Sequence, residues 1–230
     1  MSPPTVKINF VLAESALELV PKEILRSPAV TSDSRRRGVD GGRILLDRSF
    51  HQSAMAKLKE PEKRGRPDLV HEALLSVTGT PLYLYGSVRV FVHTNQDVVL
   101  ELAEKTRIPK SYFRFRGLVE KLLSERSDDE LVKVYGAGIG ELVRRRISPG
   151  RVFGLSVRGR QSGSEELARA VVAARDPCVI VGGFPHGHFS HETLTLADEL
   201  VRVNLRPLEA HVVAARVVYE VEKAAARIND

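Results

Sequence analysis

Short apolar runs separated by polar turns divide the chain into a series of predicted strands and helices. Residues 6–12 predict a first strand, and alternation over residues 88–93, with a partner at 98–100, predicts two more. A short helical stretch is expected at residues 17–20, and a short buried strand at residues 44–46. The first part of the chain therefore mixes strands with helices.

The second half of the chain alternates strands with helices more regularly. Ser162 and Glu165 have the spacing of a capping box, which predicts a helix that runs to about residue 174. Because strands that alternate with helices usually pair in parallel, we predict an α/β fold with a largely parallel sheet. The strands predicted in this half lie at residues 131–135, 152–157, 178–181 and 201–203.

Prolines mark where further helices are expected to begin. Pro67 precedes an apolar stripe and fits the first helical position. Helices are also expected from Pro109 and from Pro207. Residues 32–42, which contain three arginines in a row, predict an exposed polar loop.

Composition narrows the class of protein. The chain has 230 residues, of which 43% are hydrophobic and 28% are charged, so it can bury a core without a metal or a disulfide. Cys178 is the single cysteine and lies in an apolar run, which excludes an intrachain disulfide and argues against thiol catalysis. No stretch has the ~18 apolar residues of a membrane span, and we expect a cytoplasmic protein without a membrane partner.

Positive charge points to a polyanionic partner. Thirty-five Lys and Arg residues face 29 Asp and Glu residues, a formal net charge of +6. The strongest local signal is residues 105–126, where basic residues alternate with Tyr112, Phe113 and Phe115. The alternative is a solvated helix with these aromatic rings in the core. The arginine run at residues 144–146 is interpreted as a solvated face.

The glycine-rich segment at residues 182–187 follows a buried strand, where α/β sheets bind ligands. It lacks the spacing of a dinucleotide or phosphate-binding loop, and a plain turn is the alternative. His186, His188 and His191 lie nearby, but no cysteine or carboxylate completes a ligand set, so no metal site is expected.

Arg66 and Asp68 flank Pro67, the proline that opens the second predicted helix. Asp68 can simply stabilise the helix amino terminus. The sharper hypothesis is that Asp68 holds Arg66 in a fixed pose for a phosphate or a base.

Several motifs in order along the chain resemble the Nep/Emg family of ribosome-biogenesis proteins. That family consists of pseudouridine N1-methyltransferases of small-subunit rRNA in the SPOUT, or α/β-knot, class. The matching segments are residues 10–18, 66–71, 106–109, 114–118, 182–187 and 207–210.

The resemblance implies a SPOUT-type α/β knot, with a C-terminal trefoil knot, a largely parallel sheet and an N-terminal and middle extension. It implies one methyltransferase domain over residues 1–230, with RNA-binding elements inserted at about 30–70 and 105–126. S-adenosylmethionine is the implied cofactor. The implied partners are small-subunit rRNA, a second copy in a homodimer, and ribosome assembly factors.

The resemblance also implies site residues. Lys110 stands where some relatives carry arginine, which keeps the charge but loses the bidentate fork. Asp68 is the carboxylate to consider as a base, although its pairing with Arg66 favours an orienting role. The implied RNA-binding residues are Arg66, Asp68, Arg107, Lys110 and Arg114. The implied cofactor-binding residues are Leu155, Ser156, Gly182, Gly187, Val203, Asn204, Leu205, Arg206, Pro207 and Leu208.

Two alternatives stay open at this point. One is a non-catalytic rRNA-binding assembly factor that keeps the cofactor pocket only as structure. The other is a SPOUT methyltransferase that acts on a different RNA base.

Overall fold

A computed structural model describes residues 6–226. Its centre is a seven-stranded sheet in the order β4-β3-β2-β1-β6-β5-β7. Pairing is parallel between β2, β1, β6, β5 and β7, whereas β3 runs antiparallel to β2 and β4. The predicted α/β fold with a largely parallel sheet is therefore confirmed. The strands are β1 (Ile8–Ser15), β2 (Val88–Thr94), β3 (Val98–Leu102), β4 (Val132–Gly136), β5 (Arg151–Gln161), β6 (Pro177–Gly182) and β7 (Glu199–Arg202).

Helices cover both faces of the sheet. The α6 helix continues as a π-helix over Leu142–Ile147. The helices are α1 (Pro28–Arg37), α2 (Arg48–Met55), α3 (Pro67–Thr78), α4 (Pro81–Leu84), α5 (Tyr112–Glu125), α6 (Ile139–Glu141), α7 (Ser164–Ala173), α8 (His191–Leu196) and α9 (Ala210–Ala226).

Alternation along the central strands separates two cores. On β1, Phe10 and Leu12 pack into the larger core with α3, α5, α7 and α9, whereas Val11 and Ala13 pack into the core under α6 and α8. Successive side chains of a strand point to opposite faces, so a strand that is apolar at every position is buried on both. This explains the apolar run over residues 10–13 of β1.

A third, smaller core joins α1 and α2 into a lobe beside the sheet. Its buried residues include Val30, Ile44 and Met55. The prediction of an exposed loop at residues 32–42 is wrong, because α1 extends to Arg37. Ser27 caps α1 by accepting a hydrogen bond from the Val30 N–H, and Gly38 ends it with φ of 65°.

The predicted helical stretch at residues 17–20 is also wrong. Leu19 forms an isolated antiparallel bridge with Leu45, and the Val20 N–H donates to the Ile44 carbonyl. The predicted strand at residues 44–46 is buried, but it pairs here rather than with the central sheet. Long-range pairing has overridden the local helical pattern.

Three predicted helix starts lie too early in the sequence. The helix expected from Pro109 begins at Tyr112, and the helix expected from Pro207 begins at Ala210. The capping box is wrong, because Gly163 is the N-cap of α7 and the Ser162 N–H donates to the Arg202 carbonyl.

A buried ion pair fastens the α1–α2 lobe to α5. Glu120 is 7% exposed and accepts hydrogen bonds from the Arg37 guanidinium and from the Leu45 N–H. Removing one member of such a pair leaves a buried charge without compensation.

We predict that Glu120→Ala lowers the free energy of unfolding by about 3 kcal/mol or more, measured by urea denaturation. Glu125→Ala on the same helix is the matched control, since its pair with Arg43 is exposed and spans 3.6 Å. That control should cost less than about 1 kcal/mol. Equal effects of the two substitutions would contradict the assignment.

Candidate functional site: a cavity and an arginine surface joined by one segment

Residues 13–18, here called the β1 exit segment, connect the elements of the site through backbone hydrogen bonds. The Gly183 N–H donates to the Ala13 carbonyl over 2.8 Å, and the Ala16 N–H donates to the Gly183 carbonyl over 2.8 Å. The Arg66 N–H donates to the Ala16 carbonyl over 3.2 Å. Two hydrogen bonds thus separate the glycine-rich segment from Arg66.

Glu14 holds the start of α8 against this segment. Its backbone has φ of 51°, in the left-handed region that costs most side chains about 1–3 kcal/mol. Its carboxylate accepts hydrogen bonds from the Ser190 N–H (2.8 Å) and the Thr193 hydroxyl (2.6 Å). The Glu14 N–H donates to Nδ1 of His93, whose pKa is lowered by burial. These partners compensate for the backbone strain.

Glu18 holds the segment that leads to Arg66. It is 2% exposed, and its carboxylate accepts hydrogen bonds from the Arg64 guanidinium and from the side-chain amides of Asn95 and Gln96. A buried carboxylate with these partners fixes the loop between α2 and α3 beside the end of β2.

A cavity opens at the carboxyl ends of β6 and β7. All predicted cofactor-site residues line it except Leu205, whose side chain is 77% exposed. The strand that carries Leu155 and Ser156 is longer than the predicted 152–157: β5 continues to Gln161, and its pairing with β7 shifts register after Leu155. Residues outside the prediction also line the cavity, namely Val157, Val181, Phe184, Pro185, His186, His188, Phe189, Val201, Arg202, Ala210 and Val213.

Two glycines shape the loop above this cavity. Gly187 has φ of 96°, which favours glycine, and a Cβ there would lie 3.0 Å from Cε of Lys63. Gly183, which sequence reasoning did not select, packs directly on β1: a Cβ there would lie 2.8 Å from Cα of Ser15 and also meet its Oγ. Close backbone approach explains the glycine at position 183.

Arg66 and Asp68 form the predicted pair. Nε of Arg66 lies 2.8 Å from Oδ1 of Asp68, and Nη2 lies 2.9 Å from Oδ2. The hydrogen bond to Asp68 raises the pKa of Arg66, and the charge of Glu209 adds to the effect. Glu209 directly follows Leu208, which lines the cavity.

The other predicted RNA-binding residues lie on a loop that is fastened to α3. Nε2 of His71 lies 2.7 Å from the Pro109 carbonyl, and the Tyr112 hydroxyl donates to Asp47. The side chains of Arg107, Lys110 and Arg114 are exposed. Arg107 and Lys110 lie on the loop before α5, whereas Arg114 lies on α5 itself. The start of α5 lies beside α3, since the ring centroids of Tyr112 and His71 are 6.0 Å apart.

Comparison with known proteins places this geometry in a family. The family model described as EMG1/NEP1 methyltransferase matches residues 10–222, nearly the whole chain. The chain belongs to the EMG1/NEP1 methyltransferase family. Membership confirms the resemblance that the motifs indicated.

Relatives of this EMG1/NEP1 family member match over most of their length. The ribosomal RNA small subunit methyltransferase Nep1 of Staphylothermus marinus is 38% identical, with 94% of this chain and 95% of that protein covered. The protein of the same name from Pyrobaculum neutrophilum is 40% identical, with 95% and 99% covered. The crystal structure of Archaeoglobus fulgidus Nep1 bound to S-adenosylhomocysteine is 35% identical, with a TM-score of 0.82 and 96% and 99% covered. This chain therefore shares the fold of that Nep1 structure, as the resemblance implied.

Other candidate groups in this family member contribute less. Cys178 is buried among apolar side chains, as expected, and this burial raises the pKa of its thiol to about 12. His186 and His188 line the cavity, and His191 is exposed at the start of α8. Within residues 6–226, no cluster of three or more His, Cys, Asp or Glu side chains is arranged to hold a metal ion. Over the same residues, no helix has the length and apolar character to cross a membrane.

Glu14 and Glu18 are positioning residues of this family member that sequence reasoning missed. Both precede or follow a buried apolar stretch, which makes a carboxylate there unusual. A carboxylate beside a buried apolar stretch was the only local sign of these roles. The partners themselves lie 46 to 179 residues away in the chain, so the sequence did not reveal them.

We predict that Gly183→Ala destabilises the protein by about 1–3 kcal/mol, because the added methyl group meets the Ser15 backbone. Urea denaturation measures the effect. Gly117→Ala is the control, since a Cβ there meets nothing within 4 Å and the position is helical. The control should stabilise by about 0.5–1 kcal/mol, and destabilisation of both variants alike would contradict the close-approach argument.

Proposed function

We propose that this chain is an S-adenosylmethionine-dependent methyltransferase that modifies small-subunit rRNA at N1 of a pseudouridine. The observation that carries the proposal is the short hydrogen-bonded path from the glycine-rich wall of the cavity to Arg66. The names of the relatives support rRNA as substrate, and the S-adenosylhomocysteine-bound relative supports the cofactor class. N1 of pseudouridine as the target rests on the resemblance to the Nep/Emg family.

The cavity fits such a cofactor. Leu155, Val181 and Val201 give it buried apolar walls suited to an adenine ring. Gly182 and Gly187 let backbone N–H and carbonyl groups approach a polar ligand closely. When bound, S-adenosylmethionine supplies a methyl group that is activated by the positive sulfur. The residues proposed to hold it are Leu155, Ser156, Gly182, Gly187, Val203, Asn204, Leu205, Arg206, Pro207 and Leu208.

The arginine surface, formed by Arg66, Arg107, Lys110 and Arg114, is proposed to bind the RNA and bring it to the cavity. The pair with Asp68 engages Nε and Nη2 of Arg66, and leaves Nη1 outside the pair for a phosphate or base oxygen. Arg107, Lys110 and Arg114 supply further cations for the backbone. A base must leave its stack to reach the cavity, and phosphate contacts on both sides of it would stabilise that arrangement.

Asp68 is proposed to orient Arg66 rather than to act as the base. Both of its carboxylate oxygens accept hydrogen bonds from Arg66, so neither is directed at a substrate. The chain's main contribution is then to hold the target nitrogen in line with the methyl group and to exclude water.

Further parts of the proposal concern organisation. We propose a single SPOUT methyltransferase domain over residues 1–230, with RNA-binding elements at about 30–70 and 105–126. We also propose a homodimer, supported by the exposed Leu205 beside the cavity and the exposed Tyr219 on α9. Ribosome assembly factors are further proposed partners, and the cytoplasm is the proposed compartment.

We predict that Arg66→Ala weakens binding of small-subunit rRNA by about 1–3 kcal/mol, measured by fluorescence anisotropy. Calorimetry should show nearly unchanged affinity for S-adenosylhomocysteine, because Arg66 does not line the cavity. Arg175→Ala is the matched control. Its side chain is 94% exposed, and it lies before the amino end of β6, whereas the cavity opens at the carboxyl end of that strand. Loss of cofactor binding in folded Arg66→Ala would refute this division of roles.

The decisive test of the reaction is mass spectrometry of small-subunit rRNA after incubation with the protein and S-adenosylmethionine. We expect a pseudouridine that is one methyl group heavier, with the methyl group on N1. Methylation of another base would make the protein a SPOUT enzyme of different specificity. A folded protein that binds RNA but neither binds nor consumes the cofactor would be an assembly factor instead.

A further inference from the structure

Phe113 lies on the surface, which excludes for this ring the alternative that it packs in the core. Its side chain is 68% exposed, whereas Phe115, two residues later, is 2% exposed. It is the second residue of α5 and is flanked in sequence by the exposed Lys110 and Arg114. A single exposed ring is common on protein surfaces, so its surroundings must decide whether it binds anything.

The Phe113 ring has the Tyr112 ring and the Arg116 guanidinium as neighbours, and most of its surface is open to solvent. The Arg116 guanidinium lies over the ring, with its central carbon 5.3 Å from the ring centroid. Arg116 is itself only 9% exposed, and over residues 6–226 its Nε has no hydrogen-bond partner. Arg116 also lies 5.7 Å from the centroid of Phe50, so it is wedged between two aromatic rings. A buried cation thus supports Phe113 from beneath.

Gly117 leaves space beside the ring. It lies one helical turn after Phe113, on the same side of α5, and a Cβ built there meets nothing within 4 Å. A larger residue at this position would reach over the neighbouring ring. The helix therefore has a bare shelf next to an open aromatic face.

The charges around this shelf favour a polyanion over an apolar protein partner. Arg107, Lys110 and Arg114 are exposed, and within the described part of the chain none of them forms a salt bridge. By contrast, Arg36 and Arg37 on the adjacent lobe pair with carboxylates. Unpaired cations around an exposed ring are typical of surfaces that bind single-stranded nucleic acid.

We propose that Phe113, supported by Arg116 and left open by Gly117, stacks an unpaired base of the RNA next to the modified nucleotide. The inference rests on the proposed function and adds a contact that reads the unpaired state of the RNA rather than its charge. Arg66, Arg107, Lys110 and Arg114 bind the backbone, and Phe113 holds a neighbouring base out of the stack. An RNA whose bases are all paired would lack this contact.

The test measures binding of a short fluorescent single-stranded RNA, and of its duplex, over a range of salt concentrations. Phe113→Ala should weaken single-strand binding by about fivefold to a hundredfold. Duplex binding should change little. The slope of log affinity against log salt should stay the same, because no phosphate contact is lost. Lys110→Ala should instead reduce that slope by about 0.7.

Replacement residues separate stacking from simple burial. Phe113→Trp should keep full affinity and Phe113→Leu should not, because leucine lacks an aromatic face. Gly117→Met should weaken single-strand binding while leaving the protein at least as stable, since methionine favours the helix but fills the shelf. Tyr85→Ala is the control, because its ring is 54% exposed and lies before the amino end of β2, outside α5.

Three outcomes would overturn the inference: unchanged single-strand affinity in Phe113→Ala, full affinity in Phe113→Leu, or a salt slope that falls with Phe113→Ala as it does with Lys110→Ala. In each of these the wild-type protein still binds RNA, and the proposed function stands. A folded wild-type protein that binds neither RNA would overturn the proposed function itself.

Discussion

The geometry of the site depends on the backbone hydrogen bonds of the β1 exit segment. Ala13 and Ala16 bind Gly183, Ala16 binds Arg66, and the Asn95 N–H donates to the Ser15 carbonyl. These groups are buried, and a buried backbone group without a partner is costly. The glycine-rich wall, the Arg66 loop and the end of β2 are therefore held together at one point, and none can move without breaking contacts made by the others.

The carboxylates of Glu14 and Glu18 also hold the β1 exit segment in place, at some cost in the stability of the fold. Glu18 is buried with Arg64, and a buried ion pair contributes little net stability compared with apolar residues of the same size. Glu14 adds backbone strain. Both carboxylates instead fix the positions of the segments that bind them. Strain and buried charge near a cavity are reasonable where a methyl donor and a nucleobase must meet within a fraction of an ångström.

Regular elements were predictable from the sequence, but long-range contacts were not. The apolar runs of β1 and β6 and the alternation of β2 follow from local physics, and the ends of these strands were predicted to within three residues. The prediction of a helix at residues 17–20 was wrong, because the pairing of this segment with residues 44–46 does not follow from its local sequence. Motifs indicated the glycines and arginines of the site. Glu14 and Glu18 were missed, since their roles arise from residues that meet only in the folded chain.

Substrate selection then follows from how the two kinds of surface differ. Contacts from arginine and lysine to phosphate act on any RNA, and salt weakens them. In the proposed function, the cavity would admit one base and Phe113 would stack its neighbour, and both contacts would require those bases to be unpaired. Because Arg66 is fixed both by Asp68 and by Ala16, an RNA backbone bound by Arg66 as proposed would be held at a constant distance from the glycine-rich segment. In the proposed function, that distance would limit which nucleotide of a bound loop reaches the cavity.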